Sequence, residues 1–387
     1  MRGTSPEEEE AHMRNNKESW WRRPLVITLA MVMALALAAA GCGEDDEGGS
    51  SGGSGASEEK KAGKVAVLLP DSKSSVRWET VDRPFLKQAF EAAGVEAEIQ
   101  NAEGDKSTQQ QQAEQAITNG AKVLLLVNLD SGSGAAIAAN AKSQGVKVID
   151  YDRLTLDTDA TDYYVSFDNE KVGQLQGQGL VDCLGDAEKP AVAVLNGSPT
   201  DNNATLFKKG YDSVINPKFE SGDWTEVADQ SVPDWDNQRA LTIFEQMLQK
   251  ADNKIDGVLA ANDGLGNAAI SAIKQRKLDQ IPVTGQDATL QGIQNIVAGD
   301  QCMTVYKAIK KEADAASKLA IALAKGETPE GADAQTDNGK KEVPSVLLDP
   351  VPVTKDNIGE YIGEPDFPKK EEICAGKLAS ACEEAGL

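Results

Sequence analysis

VLLLV at residues 123–127 is five apolar residues in unbroken succession. A strand with one wet face alternates apolar and polar side chains, so a continuous run belongs to a strand covered on both faces, as in a parallel sheet with helices above and below. Similar short runs recur along the chain: VAVLLP (65–70), AEIQ (97–100), VKVID (146–150), AVAVL (191–195), GVLAA (257–261) and IPVTG (281–285). Helical patterns separate them. In Asp236 to Lys250, Ala240, Ile243, Phe244, Met247 and Leu248 keep the spacing of one buried helix face, and Val81, Phe85, Leu86, Ala89 and Ala93 mark another. A third helix pattern stops at Ser143 to Gly145, on a glycine suited to a C-cap. Roughly ten β-α units exceed one small sheet and fit two successive doubly wound α/β domains, with the break near YVSFDNEKVG (164–173).

The 387 residues are 40% apolar and 26% charged, ordinary for a globular chain. With 62 acidic and 39 basic side chains the net charge is -23, and no Lys/Arg run interrupts it. Binding of nucleic acid or of an anionic membrane surface requires a basic face, so both are excluded as the main function.

Residues 1–42 read as an export signal. Arg14, Lys17, Arg22 and Arg23 precede an apolar run from Leu25 to Ala40 that is short for a membrane span and ends in Ala39-Ala40-Gly41-Cys42. Small residues directly before a cysteine resemble the lipobox of bacterial lipoproteins, which implies that Cys42 is lipidated; Ala39 stands where leucine is usual, and an ordinary signal peptide is the alternative. The acidic stretch before Met13 suits no signal, which makes Met13 a candidate start. Residues 43–63 are Gly, Ser and charge with no apolar side chain larger than alanine, the composition of a flexible tether.

Residues 1–41 hold five basic and five acidic side chains, so their removal leaves the net charge unchanged, and it takes away His12, the only histidine. A mature chain without imidazole has no Ser-His or Cys-His nucleophile and no histidine-bearing zinc site. Cys183, Cys302, Cys374 and Cys382 remain, an even number in an exported chain, where disulfides are expected. Of three connectivities we expect Cys183–Cys302 together with Cys374–Cys382, the latter closing a short C-terminal loop. A four-cysteine metal site is the alternative, but no C-x-x-C spacing supports it, and no metal or other cofactor is expected.

In open α/β sheets, ligands meet the residues at the carboxyl ends of the strands. Those positions hold Asp71 and then Arg77-Trp78 after the first strand, and Asp152-Arg153 after the fourth. Asp201, Asn202 and Asn203 follow AVAVLNGSP, Asn262-Asp263 follow GVLAA, Asp287 follows VTGQ, Lys307 follows MTVY, and Trp235 follows a strand around Val227 to Val232. Any one Asp or Asn after a strand is more often a helix N-cap, and Asn169 and Asp263 read as caps. The combination is harder to explain that way, since two of the three tryptophans beyond the signal, Trp78 and Trp235, lie at the same edge. Trp224, in a polar turn, reads as packing. An indole face covers the C–H face of a pyranose, while carboxylates and guanidinium groups fix hydroxyls. Asp152, Asp201 and Asp287 balance Arg77, Arg153 and Lys307, which suits a neutral polyol.

Two enzymatic readings compete. Gly264-Leu265-Gly266-Asn267-Ala268-Ala269 matches the dinucleotide pattern G-x-G-x-x-A, but Asn262-Asp263 would set negative charge against a pyrophosphate. A glycosidase needs two carboxylates and no histidine, and Asp152 with Asp287 would be the pair; the flanking bases oppose the raised pKa that its acid requires. The N-x-S/T sequons at Asn196 and Asn203 read as chance.

RW (77–78), YDR (151–153), SFDNEKVGQLQ (166–176), NGSPTDNNATLF (196–207), KIDGVLAANDG (254–264), GQDA (285–288) and AGDQCMTVYK (298–307) together resemble the periplasmic sugar-binding proteins of ABC importers, in particular the D-xylose-binding group. The likeness spans about residues 64–365, and SKSSVRW (72–78) is close to a loop of multiple-sugar receptors. The resemblance implies a type I fold of two lobes joined by three crossovers, near Asp168, Tyr306 and Val346. The N-terminal lobe would be 64–167 completed by about 307–345, and the C-terminal lobe 168–306 completed by about 346–387. It implies a non-enzymatic role: Arg77, Trp78, Asp152, Arg153, Asp201, Asn203, Trp235, Asn262, Asp287 and Lys307 hold a monosaccharide, D-xylose or a related aldose, for delivery to a membrane permease. A lipid-anchored monomer at the outer face of the cytoplasmic membrane is the expected form. SVPDW (231–235) has one aromatic where the D-xylose-binding group has a second, and the cysteines look particular to this lineage. A sensor for several aldoses and a hydrolase of small glycosides are the alternative functions.

Overall fold

The computed structural model describes residues 62–387. The signal segment, Cys42 and most of the tether lie outside these residues. The chain begins with β1 (Lys64–Leu69), α1 (Arg83–Ala92), β2 (Ala97–Asn101), α2 (Lys106–Thr118), β3 (Ala121–Leu126), α3 (Ser131–Ser143), β4 (Lys147–Tyr151) and β5 (Tyr163–Phe167). Strands β2, β1, β3, β4 and β5 pair in parallel, in that order across the sheet.

VLLLV shows why the run is unbroken. Val123, Leu125 and Val127 pack with Leu86 and Phe90 of α1 on one face, whereas Leu124 and Leu126 pack with Ala113, Ile117, Ile137 and Ala138 of α2 and α3 on the other. All five side chains are fully buried, and each contributes about 2 kcal/mol relative to exposure.

The second lobe follows as α4 (Asn169–Leu184), β6 (Ala191–Asn196), α5 (Asn202–Glu220), β7 (Thr225–Ser231), α6 (Asn237–Lys250), β8 (Gly257–Ala260), α7 (Asp263–Gln275), α8 (Leu290–Ala298) and β9 (Met303–Tyr306). Its parallel order is β7-β6-β8. IPVTG, expected as a full strand, forms only a bridge from Val283 to Val258, because Pro282 has no N–H to continue the ladder. Helices α4 and α5 meet backbone to backbone at Gly173, where a Cβ would lie 2.0 Å from the Phe207 carbonyl oxygen.

The chain then returns to the first lobe with α9 (Ile309–Lys325), β10 (Ala334–Asp337) and β11 (Glu342–Leu348). Strand β11 pairs in parallel with β5, and Ala313, Ala316 and Leu319 of α9 cover the VLLLV face. It crosses back a third time into β12 (Val351–Thr354), antiparallel to β9. The short helices α10 (Ile358–Tyr361), α11 (Lys370–Ile373) and α12 (Ala379–Glu384) close against α8 around Tyr306, Phe367 and Ile373. Two doubly wound lobes joined by three crossovers result. The disulfides are Cys183–Cys302, fastening α4 to the approach to β9, and Cys374–Cys382 in the C-terminal segment.

Candidate functional site

On the first lobe, the strand ends deliver Arg77, Trp78, Asp152 and Arg153 to one wall of the cleft between the lobes. Arg77 is the centre of a buried ion network. Its Nε and Nη2 donate to Asp82 at 3.0 and 2.8 Å, Nη1 donates to Asp152 at 2.8 Å, and Nη2 donates to Glu312 at 2.8 Å. Tyr151 adds a hydroxyl donor to Asp82 at 2.6 Å. Arg77 therefore spends its planar fork on protein carboxylates, and its Cζ lies 4.3 Å from the centroid of the Trp78 ring, whose position it fixes. Burial opposes the charge on Asp152, yet Arg77, Lys307 and Arg153 together hold its pKa below the ordinary carboxylate range. Glu312 behaves oppositely: burial and the negative charge of Asp152 push its pKa well up, against the pull of Arg77.

The second lobe builds its wall from helix starts. Asp201 caps α5, accepting from the Asn203 N–H at 2.9 Å through Oδ1, and its Oδ2 accepts from the Trp235 indole N–H at 3.0 Å. Asn262 caps α7, accepting from the Leu265 N–H at 2.9 Å. The Trp235 ring lies against Gly197, where a Cβ would meet it at 2.1 Å, and packs edge-on against Phe207. Only glycine permits that approach.

Three groups tie the walls together. Arg153 Nε is 3.1 Å from Asp201 Oδ2, and Asn203 Nδ2 donates to the Asp152 carbonyl at 3.0 Å and to its carboxylate at 2.9 Å. At the second crossover, the Lys307 ammonium is 3.0 Å from Asp287 and 3.8 Å from Asp152, beside the rings of Phe167 and Phe207.

Three cleft residues hold strained backbone. Asp152 (φ 63°), Trp235 (φ 54°) and Asp287 (φ 93°) all adopt left-handed conformations, each costing on the order of 1 kcal/mol or more in a non-glycine residue. Asp152 is held there because its N–H donates to Val165 while its carbonyl accepts from Ser166, Tyr164 and Asn203. The site also keeps polar atoms in reserve: Trp78 Nε1, Ser75 Oγ and Gln286 Oε1 are buried without a protein partner.

All ten expected residues, Arg77, Trp78, Asp152, Arg153, Asp201, Asn203, Trp235, Asn262, Asp287 and Lys307, line one cleft with about 330 Å³ of space not filled by protein atoms. Ser74, Ser75, Phe207 and Gln286 line it too and were missed, as were Asp82 and Glu312 behind Arg77. Phe207 reads as core from helix periodicity; Asp82 and Glu312 sit inside helices, where an acid reads as solvent-facing. Two cap assignments are corrected. Asp168 caps α4, accepting from the Lys171 N–H, and Asn169 instead turns inward to donate to Asn203. Asp263 is buried behind Asn262 and accepts from Thr289, Gln301 and Thr304, which draw its carboxylate into the second-lobe core. Trp224 packs edge-on against Phe219, clear of the cleft.

A family model for the periplasmic binding protein domain matches residues 65–328. The chain is 39% identical over 314 residues to the D-xylose-binding periplasmic protein of Escherichia coli K12, covering 81% of this chain and 93% of that one. It is 41% identical over 300 residues to the protein of the same name from Haemophilus influenzae, covering 77% and 88%. Among solved structures, a carbohydrate transporter solute-binding protein from Chloroflexus aurantiacus in complex with D-glucose superposes with a TM-score of 0.72 at 33% identity, covering 79% of this chain and 98% of that one. These relatives are solute-binding proteins rather than enzymes. With its two lobes, three crossovers and ligand-facing strand ends, the chain belongs to the periplasmic binding protein family.

Proposed function

We propose that the cleft binds one neutral monosaccharide, D-xylose or a closely related aldose, outside the cytoplasm, and that the closed protein passes it to the membrane permease of an ABC-type importer. The observation that carries this reading is the balance of the site. Asp152, Asp201 and Asp287 face Arg77, Arg153 and Lys307 at ion-pair distances, so the wall has no net charge to offer an ionic ligand. Paired charges still present directional acceptors and donors to hydroxyl groups. Trp78 and Trp235 supply the apolar faces, and of the unpartnered atoms Trp78 Nε1 can donate a hydrogen bond, Gln286 Oε1 can accept one and Ser75 Oγ can do either. Relatives named for D-xylose support the pentose, and the relative holding D-glucose supports a range that includes hexoses.

Contacts from both lobes exist together only in the closed form, so a ligand touching both favours closure by its differential affinity. Lipidation at Cys42 and the following tether would keep the protein close to its permease. Equilibrium dialysis of the protein against xylose, glucose, arabinose, ribose and galactose tests the reading. Saturation at one sugar per chain by at least one of them is expected; retention of none ends the sugar reading, and release of product from small glycosides would put the hydrolase in its place.

A further inference from the structure

The two ends of the ring-binding cleft are not alike. On the side of Trp235, Arg153, Asp201 and the indole also line a neighbouring chamber that is heavily charged, with Asp71, Glu103, Lys106, Asp234 and Asp236 around it. On the side of Asn262 and Asp287, the Lys307 ammonium bridges Asp287 at 3.0 Å and Asp152 at 3.8 Å. Ser74, Ser75, Asn262 and Asp287 there line both the cleft and a second chamber, with about 730 Å³ of space not filled by protein atoms, part of it open to solvent.

Charge in its lining is confined to Lys73 and Asp287. Asn267 and Gln291 stand on α7 and α8 around it, and Asn237 faces it from α6. Asn237 Oδ1 is buried without a protein partner, while its Nδ2 makes only a long hydrogen bond of 3.4 Å to the Lys73 carbonyl across the cleft. Leu290 and Val76, two of the few exposed large apolar side chains among the described residues, both line it. Amides, an unmatched acceptor and apolar edges repeat, in uncharged form, the chemistry of the ring site next door.

We propose that this chamber is a second sugar subsite, so that the protein binds a neutral disaccharide with one ring in the cleft and the glycosidically linked ring beside Asn237, Asn267 and Gln291. The proposal rests on the monosaccharide reading of the first cleft. An acidic substituent is disfavoured because Asp287 stands at the junction.

Calorimetric titration with xylose and glucose, and with their β-1,4 disaccharides xylobiose and cellobiose, tests it. At least one disaccharide should bind within about tenfold of its own monosaccharide. Gln291→Trp and Asn267→Trp, which fill the chamber from helix positions outside the ring site, should weaken that disaccharide by about tenfold or more and leave the monosaccharide within about twofold. Monosaccharide binding with both disaccharides weaker beyond that limit overturns the subsite, as does an equal loss of both ligands in the two variants. Failure of every sugar to bind would instead bring down the monosaccharide reading, and the subsite with it.

Discussion

Asp150 lies within β4 and Asp152 just beyond its end, two residues apart and both buried. Around Asp150 is a nest of hydroxyls and amides: Thr155 donates from its N–H at 2.7 Å and its hydroxyl at 2.8 Å, and Thr161 donates at 3.1 Å. Asn128 and Asn338 brace Thr155 in turn. Around Asp152 are Arg77, Arg153 and Lys307. Burial pushes the pKa of Asp150 up to about 7, with only the threonines and distant Lys341 opposing it, whereas the cations hold Asp152 low. Equal burial with different partners thus gives one aspartate that shapes a loop and one that keeps its charge facing a ligand.

The largest test of that contrast is Asp152→Ala. It leaves Arg77, Lys307 and Asn203 without their shared acceptor, so unfolding by denaturant should show a loss of about 3–5 kcal/mol, together with loss of sugar binding. A stability change below about 1 kcal/mol would mean that the cations do not depend on Asp152. Asp150→Asn should cost far less, because an amide can donate to the Thr155 hydroxyl while its oxygen keeps the other two donors.

A smaller effect is expected at the indole. Trp235→Ala should weaken sugar binding by about 1 kcal/mol or more, roughly tenfold by calorimetry, from lost ring contact. Unchanged affinity in a folded variant would make Trp235 a packing residue rather than a ligand platform.

The smallest is a pH dependence. Between about pH 4 and 7 the unfolded chain has released the Asp150 proton while the folded chain retains it up to about 7. The unfolded state then binds fewer protons, so this group's contribution to stability declines as pH rises through that window and levels off above it. Asp150→Asn removes the decline. Its melting temperature relative to the parent should be higher at pH 8 than at pH 5, by about 2 °C for an effect on the order of 1 kcal/mol. Parallel curves across the range would show that Asp150 titrates normally. Asp152 acts in the other direction: its contribution is present above about pH 4 and is lost as pH falls through its lowered folded value.

The same contrast marks how far the sequence could be read. Continuous apolar runs such as VLLLV gave the doubly wound class because both strand faces are covered; strand ends gave a wider set of candidates because position in an open sheet fixes which way they face, and the resemblance to sugar-binding proteins selected the ten cleft residues from it. The partners that decide their electrostatics come from elsewhere in the chain. Glu312 reaches Arg77 from 235 residues away along α9, and nothing local distinguishes it from a solvated helix acid. Asn169 and Asp263 fail as caps because cap preference is local, and Asp168 and Asn262, one residue earlier, took those roles. The β10–β11 hairpin carries only the short apolar run Val346 to Leu348, since β10 closes the edge of the sheet and much of the hairpin is open to water.

The most direct test of the account is calorimetric titration of the protein at neutral pH with D-xylose, D-glucose and D-glucuronic acid, with the sugar recovered afterwards. A cleft of paired charges predicts saturable binding of at least one of the two neutral sugars at one per chain, glucuronic acid weaker than glucose by about tenfold or more, and sugar returned unchanged. Absence of heat with both neutral sugars, or preference for the acid, would contradict it.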